Sequence, residues 1–239
     1  GLDSWSRSAD IMKNVSYIPG EIAFPALKTG TEFLKSQAKY LGVTDFKYMN
    51  HVIELLQLDP TANLKRMSKG MKQKTAIVAA LMGEKETLVL DEPTTGLDPL
   101  MREAFLELIR EEKQKGHTVF MSTHIFEEIE SVCDRVAMIK DGHIIATSSL
   151  YDLRHPTIKN FIIEFEEMWQ KQQFIEKIRF KTESTESNTC AVQCSVDELD
   201  ILFHVLKDYS VTNLREIHLS LQQQFMRAYK EGLNQNGNK

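Results

Sequence analysis

The sequence predicts an α/β domain built on a parallel sheet, joined to a smaller α+β unit. Short apolar runs, "TLVL" at 87–90 and "TVFM" at 118–121, alternate with stretches of helical period. That is the pattern of strands in a parallel sheet with right-handed crossovers. Beyond about residue 150 the pattern changes to short alternating strands separated by two helices. The chain of 239 residues, 42% hydrophobic and 26% charged, is long enough for one or two domains with cores of their own.

The elements follow in order. "VSYI" at 15–18 is a short strand ending in the turn Pro19-Gly20. Thr29 and Glu32 form a capping box for the helix "TEFLKSQAKYL", and Phe46, Met49, Val52, Ile53 and Leu56 recur at helical spacing in the next. "MSKGMKQK" at 67–74 opens a helix that continues as "TAIVAALM". The strand "ETLVLDEP" follows, then a helix with Asp98 as N-cap and Pro99 at its first position. Its stripe is Leu100, Ala104, Phe105, Leu108 and Ile109, and Gly116 ends it. "HTVFMSTH" reads as a second buried strand, "IFEEIESVC" as a helix, and "VAMIKDGHIIAT" as a hairpin turning at Asp141-Gly142.

"LYDLRHPTIKN" at 150–160 reads as a linker. After it come strand "NFIIEFE", helix "EMWQKQQFIEK", strands "IRFKT" and "TCAVQCSV", helix "DELDILFHVLKD", strand "NLREIHL" and a last helix, the order of a split β-α-β, ferredoxin-like unit. The expected domains are therefore 1–150, with a helical subdomain at 22–66, and 151–232, followed by a disordered tail at 233–239.

A net charge of −5 and a pI near 5.9 argue against a protein whose main task is neutralising a nucleic-acid backbone. No apolar run approaches the ~18 residues of a membrane span, and no secretory signal opens the chain, so it reads as cytosolic. Cys133 stands alone. Cys190 and Cys194 alternate with Val192 and Val196 on one strand face and have no companions at metal-ligand spacing, so they read as core residues.

The richest stretch is "ETLVLDEPTTGLD". Its apolar strand delivers Asp91 to the carboxyl edge of a parallel sheet, where open α/β folds place ligands. Glu92 follows directly, and neighbours on an extended chain point apart, so the pair can divide two tasks: Asp91 toward a hydrated Mg²⁺, Glu92 toward a water that attacks a phosphate. His124 ends the next strand at the same edge, where its ring can touch a phosphate oxygen. Ser68 and Gly70, at a basic helix start, offer a hydroxyl and a close backbone N–H to a phosphate. Each feature alone has a plainer reading: solvated acids at a strand end, a structural histidine, an ordinary helix cap.

The ordered combination "MSKGMKQK", "TLVLDEP", "TGLD", "STH" resembles the nucleotide-binding subunit of an ABC transporter, a P-loop NTPase, over residues 1 to about 150. The resemblance implies that Ser68 and Gly70 belong to the signature motif, that Asp91 holds Mg²⁺ through water, that Glu92 is the general base, that Asp98 is the D-loop acid and that His124 senses the γ-phosphate. It further implies that "MSKGMKQK" holds the ATP of an opposite subunit, homo- or heterodimeric, and that a separate transmembrane permease docks on residues 30–62. The subunit would sit in the cytoplasm, peripheral on the inner face of the membrane, with no nucleic-acid partner.

Lys69 stands where the family's signature has its second glycine, and Met71 where it has glutamine. The Q-loop position is Gly20, with Glu21 beside it as an alternative Mg²⁺ contact. No G-x-x-x-x-G-K-[ST] phosphate loop occurs in the 239 residues, which implies a chain truncated before the Q-loop and, as given, inactive. "YIPGEI", "SKGM" and the C-terminal unit are most like the branch that exports drugs or antibiotics. The competing expectations are an ATP-dependent regulatory or resistance protein that does not transport, and a DNA-repair ATPase, which would need long heptad arms.

Overall fold

The structure, a computed structural model, describes residues 3–184, 187–217 and 220–223. The chain divides into two compact units, Gly1–Val132 and Cys133–Lys239. The hairpin thus falls in the second unit, whereas the pattern of the sequence places a division near residue 150.

The first unit begins with the short helix α1 (Ser8–Ile11) and strand β1 (Val15–Ile18). Helix α2 (Gly30–Leu41) starts where Thr29 Oγ1 accepts the Glu32 N–H at 3.2 Å. The reciprocal half of that box has moved one residue back, because Glu32 Oε2 accepts from the Lys28 N–H. Helix α3 (Lys47–Leu55), a 3-10 turn (Leu64–Arg66) and helix α4 (Lys69–Leu81) lead to strand β2 (Thr87–Asp91). Helix α5 (Pro99–Gln114), strand β3 (Thr118–Ser122) and helix α6 (Phe126–Val132) complete the unit.

The three strands form a parallel sheet in the order β1-β2-β3. Both crossovers advance in the same direction, so right-handed connections put their helices on one face. There α4 packs on β1 and α5 on β3, burying Ile18, Leu88 and Leu90 with Ile77, Leu81, Phe105 and Leu108. The opposite face carries Tyr17, Val89 and Phe120 in register, and Phe120 is 68% exposed. The expectation of a buried second strand is corrected accordingly: among the described residues β3 is an outer strand covered on one side. The α5 stripe is corrected too, since Leu100 is exposed and Met101 takes the buried place. Phe46 sits at the N-cap of α3 and is exposed, so it does not belong to that helix's core face.

A buried polar hub joins α3 to α5. Glu112 accepts from Tyr48 OH at 2.5 Å and Lys115 Nζ at 2.8 Å, and lies 2.7 Å from His117 Nδ1. Burial pushes the Glu112 carboxyl up, yet hydrogen bonds from Lys115, Tyr48 and His117 more than offset that and leave it below the usual glutamate value.

In the second unit β4 (Arg135–Lys140) and β5 (His143–Ser149) form an antiparallel hairpin. Asp141 and Gly142 both have positive φ, as a type I′ turn requires. The expected linker contains a helical turn, α7 (Leu150–Arg154), because the Ser149 hydroxyl accepts from the Asp152 N–H. Strand β6 (Ile158–Phe165), helix α8 (Met168–Lys177), strands β7 (Lys181–Ser184) and β8 (Thr189–Ser195), helix α9 (Leu199–Leu206) and strand β9 (Val211–Glu216) follow. The antiparallel order β7-β8-β6-β9 is that of a ferredoxin-like sheet. Phe161, Ile163, Phe165, Cys190, Val192 and Cys194 bury one face with Phe174 of α8 and Leu202 of α9. Burial pushes the Cys190 thiol up to about 11, in keeping with a core residue. Val196 does not share that face: the chain turns into a 3-10 turn there and leaves it exposed. Most of the last helix expected after Leu219, and the tail at 233–239, lie outside the described residues.

Candidate functional site

The site lies at the carboxyl edge of the parallel sheet, where β2 ends in Asp91 and β3 in Ser122, paired in register. Asp91 is exposed and its Oδ1 accepts from the Ser122 hydroxyl. Gly20, in the turn after β1, presses against its other oxygen: a Cβ built there would stand 3.0 Å from Oδ2. The absence of a side chain at Gly20 therefore keeps Oδ2 open. Glu21 is exposed, and Gly20 is the residue set against Asp91.

The chain then turns sharply. Glu92 has φ 43°, a left-handed conformation that costs a non-glycine residue roughly 1–3 kcal/mol. The strain is held by contacts from several directions. The Glu92 N–H donates to Ser122 O at 3.2 Å and Oγ at 3.1 Å. Its Oε2 accepts from the Thr95 hydroxyl at 3.1 Å, and its Oε1 lies 3.3 Å from His124 Nδ1. Both partners of that last pair are substantially exposed, so its energy is small and its geometry is what matters. A carboxylate and an imidazole side by side at a strand edge can orient a water and move a proton.

Asp98 caps α5, accepting from the Met101 N–H at 3.0 Å. Ser68 caps α4, accepting from the Met71 N–H at 3.2 Å, so its hydroxyl oxygen is engaged by its own helix while the residue stays exposed. Gly70 packs directly on the loop between β2 and α5: a Cβ there would meet Gly96 O at 2.7 Å. Gly96, at φ 83°, lies under the Lys69 side-chain stem. The start of α4 and the turn before Asp98 thus form one closely packed corner.

Several residues that hold this arrangement carried no assignment from sequence. Gln73, buried in α4, donates Nε2 to Pro93 O at 2.7 Å, directly behind Glu92. Glu128, buried in α6, accepts from Thr94 Oγ1 at 2.6 Å and Thr123 Oγ1 at 2.7 Å. The only available hint was an acid placed on the inner side of a short helix.

The edge also fits a hydrated Mg²⁺ brought in with phosphate. Mg²⁺ uses one or two protein carboxylates when substrate oxygens and water complete its shell. Asp91 is such a carboxylate, with Oδ2 left open by Gly20.

A solved structure described as the ATP-binding subunit of an ABC transporter matches with 31% identity and a TM-score of 0.57, over 65% of this chain and 67% of that one. The chain belongs to the ABC transporter ATP-binding subunits. The linearmycin resistance ATP-binding protein LnrL of Bacillus subtilis is 34% identical over 152 residues, 62% of this chain and 49% of that protein. An uncharacterized ABC transporter ATP-binding protein of Nostoc is 33% identical over 150 residues, 60% of this chain and 45% of its own length. This ABC-type chain thus spans about half the length of the curated relatives it matches. A family profile described as "AAA domain, putative AbiEii toxin, Type IV TA system" covers residues 22–130. A dimeric ATP-binding cassette solved with ADP and Pi shares the fold, at 20% identity and a TM-score of 0.53. No helix among the described residues of this ABC subunit is long and apolar enough to cross a membrane.

Proposed function

We propose that this chain supplies the hydrolytic edge of an ATPase that powers export through a separate membrane permease. The observation that carries the reading is the placement of Glu92 and His124 within 3.3 Å of each other beside Asp91. A water held by Glu92 attacks the γ-phosphorus as the bond to the β–γ bridging oxygen breaks, giving ADP and inorganic phosphate. Glu92 accepts the water's proton, and His124 steadies the charge that grows on the γ-phosphate. Asp91 would hold a Mg²⁺ ion through water, and such an ion would supply neutralisation of charge on the phosphate oxygens.

Ser68, Lys69 and Gly70 serve the nucleotide of a second ATPase subunit, making ATP the bridge of a homo- or heterodimer. The exposure of Ser68 and Lys69 at the start of α4 supports this. The exposed Tyr40 of α2 and Phe46 before α3 give the permease an apolar landing on the helical segment. The names of two relatives, one for linearmycin resistance and one for Nod factor export, support export of a drug, an antibiotic or a similar substrate.

The test is ATP-driven uptake of an antibiotic by inverted vesicles containing the protein that carries this chain and a membrane permease. Uptake that depends on ATP and vanishes with Glu92→Gln is the expected result. Vesicles that hydrolyse ATP but move no such cargo would refute the export reading and leave the ATPase reading standing.

A further inference from the structure

Glu128 is a charged side chain with no exposed surface, one turn into α6. Burying a carboxylate is costly unless charge and hydrogen bonds offset the loss of water. Here Arg102 of α5 brings its Nε to 3.4 Å, and two threonine hydroxyls donate, one to each oxygen. Those two hydroxyls come from different loops. Thr94 lies two residues after Glu92 in the loop leaving β2, and Thr123 lies one residue before His124 in the loop leaving β3. Thr123 Oγ1 also accepts the Ile125 N–H at 3.1 Å, which fixes the path of the chain just past His124. One buried carboxylate thus ties together the two segments that present Glu92 and His124.

We infer that Glu128 is a positioning residue for the ATPase site, setting the spacing of Glu92 and His124 by clamping the Thr94 and Thr123 loops. This rests on the hydrolytic reading above. The left-handed backbone at Glu92 gives the clamp its purpose, since a strained conformation persists only where its surroundings over-determine it. Glu128 itself has no exposed surface, and its effect passes through the two loops.

Two measurements on the full chain test this, with Glu128→Ala, Glu128→Gln and the near-isosteric Thr94→Val. Native-state hydrogen exchange reads the clamp without ATP, because the Glu92 amide bonds across to Ser122 and the Ile125 amide to Thr123. In Glu128→Ala, protection of these two amides should fall about 5- to 100-fold, as expected for buried hydroxyls left without acceptors. Amides within β2, such as Leu88 and Leu90, should stay within about twofold. Glu128→Gln and Thr94→Val should give intermediate losses. In the ATPase assay of the protein that carries the chain, Glu128→Ala should lower kcat by roughly tenfold or more with KM little changed, and Glu128→Gln should restore part of it. Unchanged protection at Glu92, or an equal loss across the whole unit, would overturn the inference. An inactive wild type would count against the hydrolytic reading, and the exchange pattern would still decide whether Glu128 clamps the loops.

Discussion

His124 Nδ1 lies 3.3 Å from Glu92 Oε1, across the loops that leave two neighbouring parallel strands. The contact joins residues 32 apart in sequence and depends on the left-handed turn at Glu92. In the protein that carries this chain, Glu92→Gln should keep ATP binding and lower turnover about 10²- to 10⁴-fold, because only the base is lost. Steady-state hydrolysis with nucleotide-binding titrations checks this, and turnover within twofold of wild type would remove Glu92 from the role of base.

His124→Ala should reduce kcat more than it changes KM, since a contact to the γ-phosphate strengthens as charge develops there. The ring is largely exposed, so stability should move little. A mutant with altered melting but normal kcat would return His124 to a structural role.

Gly70→Ala should be costly for a residue that ends in one methyl group. Its Cβ would stand 2.7 Å from Gly96 O, a backbone atom that yields only if the turn before Asp98 moves. We expect a loss of about 1–3 kcal/mol in denaturant unfolding. Gly116→Ala makes the contrast: its Cβ would meet nothing within 4 Å, and only the strain of its positive φ would be felt.

Glu112 should contribute to the acid side of the first unit's stability. Its carboxyl is held below the ordinary value of 4.5, so the stability it contributes is fully present above that pH and is lost as pH falls through the lower folded-state value. Urea midpoints should therefore drop on acidification below 4.5. Glu112→Gln should flatten that limb while costing about 1–3 kcal/mol at neutral pH. An unchanged acid limb in the mutant would place the acid sensitivity elsewhere.

The 239-residue chain by itself should bind Mg-ATP no tighter than about millimolar and hydrolyse none above background, because Asp91 and Glu92 repel a polyanion unless a phosphate cradle offsets the charge. Calorimetric titration decides the matter. Micromolar affinity would show that residues present here cradle the phosphates.

Local pattern alone determined much of this protein. An apolar run followed by two acids put Asp91 and Glu92 at a strand's carboxyl edge, "STH" put His124 at the next one, and Asp98-Pro99 marked a helix start, all as found. The order of strands and helices likewise specified the ferredoxin-like sheet, because connection length and handedness leave few ways to pair them. Periodicity could not tell which sheet face the helices would cover, which leaves Phe120 of β3 exposed, nor which residues of the first turn of α5 would face the core, where Leu100 is exposed and Met101 buried. It was equally silent about Gln73 reaching Pro93, Gly70 meeting Gly96, and Glu128 drawing in Thr94 and Thr123. Those contacts form only once separate elements have docked. Hydrogen bonding and close packing act over a few ångströms of space, and a linear sequence records separation along the chain, so only the tertiary structure could decide them.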